Sequence, residues 1–423
     1  MYPVGRRRVW LLAIAVLASL VANFETTIAT ILPLLLDDLK MSLTVYGQIA
    51  AVSVLVGGLS AGFGGILSDR WGRVTILVPT LTVTAACNFL LATVDSVGEL
   101  FAVRCLMLFI EGAGITITAS LVRDFSPRLG RAQAFAFWTW GPVGASFLAS
   151  FIAGFTLPMF GNAWQSQAII MGVVSLVLCG VIIWQIAEPS AALRAQVMRY
   201  EEAVASEEKI DPGKVKELLR HRHLWAHVLG NTGWQVLYWT FAIFGQTILA
   251  STAFRMEPAE ANRVVALGIL LNALAVIVVG RISDRLQLRK PFTAVGIVLT
   301  IATLAYFISL IGTGATAGTV TLVYAILFLV LGVAYVPWMA NFSEDAEDVD
   351  ARLQGAALGL WGMVVRVMIV ALLVIAPMVV AASGWGTWLW VALAGQVVFL
   401  LSIAAFKGSW RRPRADESPK VTA

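Results

Sequence analysis

Four charged side chains stand inside apolar runs of this chain: Glu25, Arg104, Glu111 and Arg366. A charge at membrane depth costs on the order of 2.5–3.5 kcal/mol on insertion scales, so it usually has a partner or a task. A carboxyl in a low-dielectric cavity favours its protonated form, which makes Glu111 and Glu25 candidates to carry a coupling proton. A guanidinium offers a fork of donors matched to a carboxylate or phosphate, which makes Arg366 the leading candidate to hold an anionic substrate. Arg366 lies about 12 residues into its run, roughly 18 Å deep, too far for easy snorkelling. Each has a second reading: Arg366 in an internal ion pair, Glu111 as a hydrogen-bonded structural carboxylate, Glu25 as the partner of Arg104. Arg104 and Glu111 are seven residues apart, which puts them on one helix face two turns from each other.

Aromatic residues give the surroundings of these charges. Trp138, Trp234, Tyr238, Trp338 and Trp361 fall within spans, whereas Trp10, Trp225, Trp385, Trp388 and Trp390 sit where an interfacial belt is expected. Apolar aromatic walls with one or two cationic anchors suit an aromatic or amphiphilic carboxylate better than a polyol. The expected substrate-binding set is therefore Arg366, Arg104, Trp361, Trp138, Trp234, Tyr238 and Trp338. Asn88, Gln133, Asn231, Gln235, Gln246, Asn272 and Tyr306 either hydrogen-bond substrate or join helices, and joining helices is the commoner use.

These residues need a scaffold, and composition names its solvent. A chain of 423 residues, 59% hydrophobic and 13% charged, exposes too much apolar surface for water. A spanning helix needs about 20 apolar residues, and such runs recur at 9–33, 44–67, 74–94, 99–121, 132–155, 165–187, 224–250, 262–280, 291–312, 318–341, 354–381 and 386–406. The pattern predicts an all-α polytopic membrane protein with twelve transmembrane helices in two pseudo-symmetric six-helix bundles. Residues 1–188 and 224–406 form the bundles, 189–223 a charged cytoplasmic linker and 407–423 a cytoplasmic tail. With the N-terminus inside, 25 of the 30 Lys and Arg fall on cytoplasmic segments, so the net charge of +5 reports topology and not nucleic-acid binding.

A repeated turn ties the halves together. Gly65-Ile66-Leu67-Ser68-Asp69-Arg70-Trp71-Gly72-Arg73 follows the second span, and Gly280-Arg281-Ile282-Ser283-Asp284-Arg285 follows the eighth, 215 residues later. The chain here resembles the major facilitator superfamily, whose loop signature Gly-x-Leu-x-Asp-Arg-x-Gly-Arg it matches at Gly65, Leu67, Asp69, Arg70, Gly72 and Arg73. The second copy retains Gly280, Asp284, Arg285 and a basic Arg289-Lys290 pair and carries Gln287 where the signature has glycine. The resemblance implies secondary transport by alternating access, with Gly65, Asp69, Arg70, Gly72, Arg73, Asp284 and Arg285 acting as a conformational latch. It also implies coupling through an acid of the first helix, Glu25, and a cationic anion anchor in the eleventh, Arg366. In the fourth span Leu108 replaces the arginine of many relatives, and Arg104 lies one turn earlier. Gly141-Pro142 matches the antiporter motif only in part, because Ala145 replaces its next glycine.

Cys87, Cys105 and Cys179 lack metal-like spacing, His221 and His223 have no ligand set around them, and no phosphate-binding glycine loop is found. No enzyme activity and no cofactor are expected. The expected partners are a small-molecule substrate, protons and the lipid bilayer, with the protein a monomer in the cytoplasmic (inner) membrane. The leading expectation is proton-coupled symport of a small organic anion. The alternatives are a proton-driven exporter of hydrophobic drugs or metabolites and a transport-inactive sensor. The acidic run 343–350 reads as a loop, either solvated or paired with the basic 281–290 turn or the linker.

Overall fold

The computed structural model describes residues 5–126, 134, 137–186, 199, 220–349 and 354–411. Its helices are α1 (Gly5–Ala22), α2 (Thr27–Asp38), α3 (Leu43–Trp71), α4 (Arg73–Leu91), α5 (Val97–Phe125), α6 (Trp140–Thr156), α7 (Gln165–Gln185), α8 (Arg222–Ala250), α9 (Pro258–Leu286), α10 (Lys290–Ser309), α11 (Ala317–Glu347) and α12 (Gln354–Ser402). In lipid every backbone polar group must be satisfied internally, which leaves helices as the natural form of such apolar runs. Side chains close several ends: Ser42, Ser96 and Thr316 accept from the backbone N–H three residues on.

Nine described helices are long and apolar enough to cross a membrane, and α1 with α2 forms a tenth span bent by 41°. The bend is a 3-10 turn at Phe24–Thr26 that carries Glu25. α8 is an eleventh span of 29 residues, its hydropathy lowered by buried His227, Asn231, Gln235 and Gln246. α12 is two spans in one 49-residue helix, broken where Gly384 turns to φ 79°. These twelve spans form two bundles of six. Arg131, Ala132, Gln133 and most of the 189–223 linker lie outside the described residues; Arg222 and His223 already belong to α8.

Two expectations about element ends need correction. The acidic run is helical as far as Glu347, with Glu344 paired to Arg289 at 3.0 Å and Asp345 paired to His227 at 2.8 Å. Hydropathy registers only lipid depth, whereas a helix continues past the membrane when its carboxylates find cations. The eighth span likewise runs from Pro258 to Leu286, longer at both ends than 262–280.

Packing shows how the halves meet. One core joins residues of both bundles, Ile31, Tyr46 and Leu100 with Phe241, Phe244 and Leu373. A second core, around Leu11, Ala18, Leu77, Ile117 and Ile182, belongs to the N-terminal bundle alone. Within this core the two bundles touch at the end opposite the two signature turns. There a Cβ on Gly47 of α3 would strike the Leu373 carbonyl and the Pro377 ring of α12, and one on Gly154 of α6 would strike Arg263 of α9. Nearer the signature turns, Gly58 and Gly62 on α3 and Gly355, Gly359 and Gly362 on α12 have open space where a Cβ would go. Gly58 lies eleven residues past Gly47, and Gly362 eleven before Leu373, so both continue the stripes that touch at the closed end. The bundles are thus closed at one end and parted by a cleft on the signature face.

Candidate functional site

A cavity of about 150 Å³ lies between the bundles beneath the closed end. The bent first span gives Asn23, Glu25 and Thr26, α5 gives Glu111, and α6 gives Ser146 and Ser150 at helical spacing. The opposite wall is Tyr238, Trp239, Phe241 and Gln246 of α8, with Ile269 of α9 and Phe328 of α11. The walls are therefore aromatic, with two carboxylates and a few hydroxyl and amide groups set into them.

The charges cluster on the N-terminal side. Glu25 Oε2 lies 3.4 Å from Arg104 Nη1, and the Arg104 side chain is 5% exposed. The contact is an ion pair without hydrogen-bond geometry, because Nε and Nη1 of Arg104 have no hydrogen-bond partner among the described residues. Tyr46 of α3 adds its ring face, 5.1 Å from the guanidinium carbon. Glu111 enters the same cavity with its Oε2 buried and unpartnered. Of the two acids, Glu25 is thus the one paired with the guanidinium. Tyr46 was not among the sequence candidates, since a tyrosine near a span end reads as part of an interfacial belt.

The other expected substrate residues are dispersed. Tyr238 lines the cavity, but Trp234 is buried in a stack between Tyr238 and Tyr335, with ring centroids 5.2 and 4.8 Å away. Trp338 is fully buried against Phe342 and Trp361, and Trp361 donates to Asn231 Oδ1 at 3.0 Å. Trp138 donates to Thr118 Oγ1 at 3.1 Å within the N-terminal bundle. These four tryptophans pack helices in this conformation and are not among the residues lining the cavity. Burying a large ring in the core costs nothing that periodicity reveals. Arg366 is exposed and also stands apart from the cavity. It falls eleven residues before Pro377, on the stripe of α12 that faces α3, roughly 16 Å from the closed end. No ion pair of Arg366 is found among the described residues. Arg104 stands behind the cavity wall, held by Glu25.

The signature turns have a common construction. Arg73 is paired with Asp69, donates to Asp124 Oδ2 at 3.1 Å and to Ser68 Oγ at 2.8 Å. In the second half Arg289 reaches Asp284 at 2.6 Å, Glu344 at 3.0 Å and Ser283 at 3.0 Å. Arg289 is therefore the counterpart of Arg73, and Arg285, which matches Arg70, is exposed as Arg70 is. The spacing from Asp to Arg is one residue longer in the second copy. Gly72 has φ 106°, and Gln287 takes the left-handed position at φ 54° with its side chain donating to the Asp284 carbonyl at 2.6 Å. A Cβ on Gly65 would lie 3.3 Å from Thr116 Cγ2, tighter than ordinary packing, so the glycine lets α3 and α5 approach closely.

Comparison with known proteins agrees with this architecture. A family model described as the Major Facilitator Superfamily matches residues 11–373. The uncharacterized MFS-type transporter YtbD of Bacillus subtilis is 27% identical over 174 residues, 41% of this chain and 44% of that protein. Dityrosine transporter 1 of Saccharomyces cerevisiae is 33% identical over 137 residues, 32% of this chain and 23% of that protein. The chain thus spans less than half the length of these curated relatives. Among solved structures, a bacterial homolog to the human lysosomal transporter Spinster, in an inward-facing and unoccupied conformation, superposes with TM-score 0.72 at 16% identity. That superposition covers 96% of this chain and 98% of the other and shows a shared fold.

Proposed function

Because this chain belongs to the Major Facilitator Superfamily, and is a multi-pass membrane transporter of small molecules and not an enzyme, we propose that it works by proton-coupled alternating access, with Glu111 and Glu25 as the proton-carrying pair. The observation that carries the reading is the Glu111 carboxylate, placed in the inter-bundle cavity with one oxygen buried and unpartnered. An unpartnered buried carboxylate is costly when ionised, so proton uptake and release there change the energy of the closed and open forms. Arg104, held by Glu25 at 3.4 Å, supplies the positive charge against which both acids ionise. The concentration of basic residues on the signature side favours placing that face and both termini in the cytoplasm. The open cleft then faces inward, and the protein resides in the inner membrane as a monomer.

The cavity favours export over uptake. It is lined by two acids and by aromatic rings, and neither Arg104 nor Arg366 lines it. When a proton and a cationic or amphiphilic substrate compete for the same carboxylates, they move in opposite directions, and the inward proton gradient drives the substrate out. This is the reading of a proton-driven exporter of hydrophobic drugs or metabolites. The relative that transports dityrosine, by its name, handles an aromatic compound. Symport of an organic anion remains the second reading, favoured by one observation: Arg366 lies on the cleft-facing stripe of α12, where bundle closure would carry it inward.

Proteoliposomes with an imposed pH gradient distinguish the two. Export by exchange is expected to give proton-driven movement of a lipophilic cationic dye that falls at least about tenfold in Glu111→Gln. Gradient-stimulated accumulation of aromatic carboxylates, lost in Arg366→Ala and indifferent to the dye, would establish the anion reading in its place.

A further inference from the structure

Arg104 sits in a dry place at the junction of the two bundles. Its Nε and Nη1 have no hydrogen-bond partner among the described residues, and its side chain is 5% exposed where that of Glu25 is 20% exposed. Tyr46 of α3 lays its ring face over the guanidinium carbon at 5.1 Å. The same ring, itself buried, meets Phe244 of α8 nearly edge to face, with centroids 6.5 Å apart. Phe244 is fully buried and packs in turn on Trp385 of α12 at 5.7 Å. Gly47, the next residue, is where α3 lies on the backbone of α12. Tyr46 therefore touches the buried charge of one bundle and a ring of the other, at the end where the bundles are closed.

We propose that Tyr46 is a positioning residue that makes the hold of Arg104 on Glu25 depend on closure of that end. The inference rests on the proton-coupled reading and names how its charge pair is regulated. With Phe244 against it, the Tyr46 ring keeps water from Arg104, and the guanidinium attracts the Glu25 carboxylate through a medium of low dielectric. Parting of the bundles at this end withdraws Phe244 and lets water onto the two unpartnered nitrogens of Arg104. The attraction is then screened, and Glu25 takes up a proton from that side. When the end closes, Arg104 dries, its field favours the carboxylate, and the proton leaves by the open cleft. One cycle thus carries a proton from the Gly47 end to the signature face. The titratable side chains around this pair are Glu111 and Cys105 of α5, Tyr46 itself and, across the cavity, Tyr238 of α8. The 3-10 turn of Glu25 also packs on α1, α2, α4 and α6. Of these α6 has no charged residue, and the others carry theirs, Arg6 to Arg8, Asp37, Asp38 and Arg73, at their ends.

The test uses the full-length protein in sealed vesicles with the Gly47 end outward. Ser150→Cys is the reporter, Cys87, Cys105 and Cys179 are replaced by serine, and an impermeant thiol reagent is added outside. Because the open form binds the proton more tightly, lowering the outside pH from about 8 to about 6 is expected to speed labelling by about threefold or more. Glu25→Gln is expected to remove this dependence. Tyr46→Phe, which keeps the ring, is expected to retain it, and Tyr46→Leu, which removes the ring face, to flatten it. Phe244→Ala, on the other bundle, is expected to flatten it as well, since Arg104 then stays wet in both forms. If Tyr46 only packs, Tyr46→Leu changes labelling equally at every pH and leaves the ratio intact, which overturns the proposal. Labelling of the protein with native Tyr46 that ignores pH overturns it too. Dye transport that stays proton-driven and dependent on Glu111 in either case shows that the coupling reading stands while the role of Tyr46 falls. Dye movement indifferent to the proton gradient sinks both.

Discussion

Arg70 and Arg73 stand three residues apart in one signature turn, and their surroundings divide them. Arg73 is 5% exposed and lies against Asp124, itself 2% exposed, whereas Arg70 faces solvent. Removing one partner of a buried pair leaves the other charge uncompensated, a loss of roughly 3–5 kcal/mol. Arg73→Ala is expected near the lower bound, about 3 kcal/mol, because Arg123 Nε remains 3.4 Å from Asp124. Arg70→Ala is expected to stay within about 0.5 kcal/mol. Thermal unfolding in detergent checks this: a Tm several degrees lower for Arg73→Ala beside a near-native Arg70→Ala is the expected pattern, and equal shifts would count against it. The sequence displays both arginines as equals. Their difference depends on Asp124, 51 residues on, which no local spacing connects to the turn.

At the scale of elements, two glycines set the approach of the bundles. Gly47 lets α3 lie on the backbone of α12, and Gly154 lets α6 lie on Arg263 and Ala259 of α9. A side chain at Gly47 has rigid backbone and a proline ring to displace, so closure at that end becomes unfavourable by about 1–3 kcal/mol for added methyl groups. Gly47→Val is therefore expected to open that end and, with Ser150→Cys as a reporter, to speed labelling from that face by about tenfold or more. Unchanged labelling would show that the Gly47 crossing does not hold the end shut. The glycines are visible in the sequence among many others in the same spans. Which of them touch a partner and which, like Gly58 and Gly362, face the open cleft is decided by the relative placement of the bundles.

For the whole molecule, orientation is a question of charge and conformation one of packing. The signature face carries the basic turns and the last described residues, and Met159 lies at the other end with 75% exposure. With the signature face in the cytoplasm, an impermeant thiol reagent is expected to label Met159→Cys in intact cells and Arg411→Cys only after permeabilisation. The reverse pattern would invert the topology and, with it, the direction of the open cleft. The sequence alone determined the solvent, the helical class, the number of spans and the duplication, because each follows from run lengths and local motifs that lipid imposes residue by residue. It also singled out Glu25, Arg104 and Glu111, since a charge within an apolar run stands out wherever it lies. Only the tertiary structure decided that Glu25 pairs with Arg104 while Arg366 stands apart, that Trp234 and Trp338 are core, and that Arg289 makes the contacts Arg73 makes. Those outcomes depend on helix rotation and on the angle between two bundles, set by long-range packing of side chains that a one-dimensional pattern does not encode.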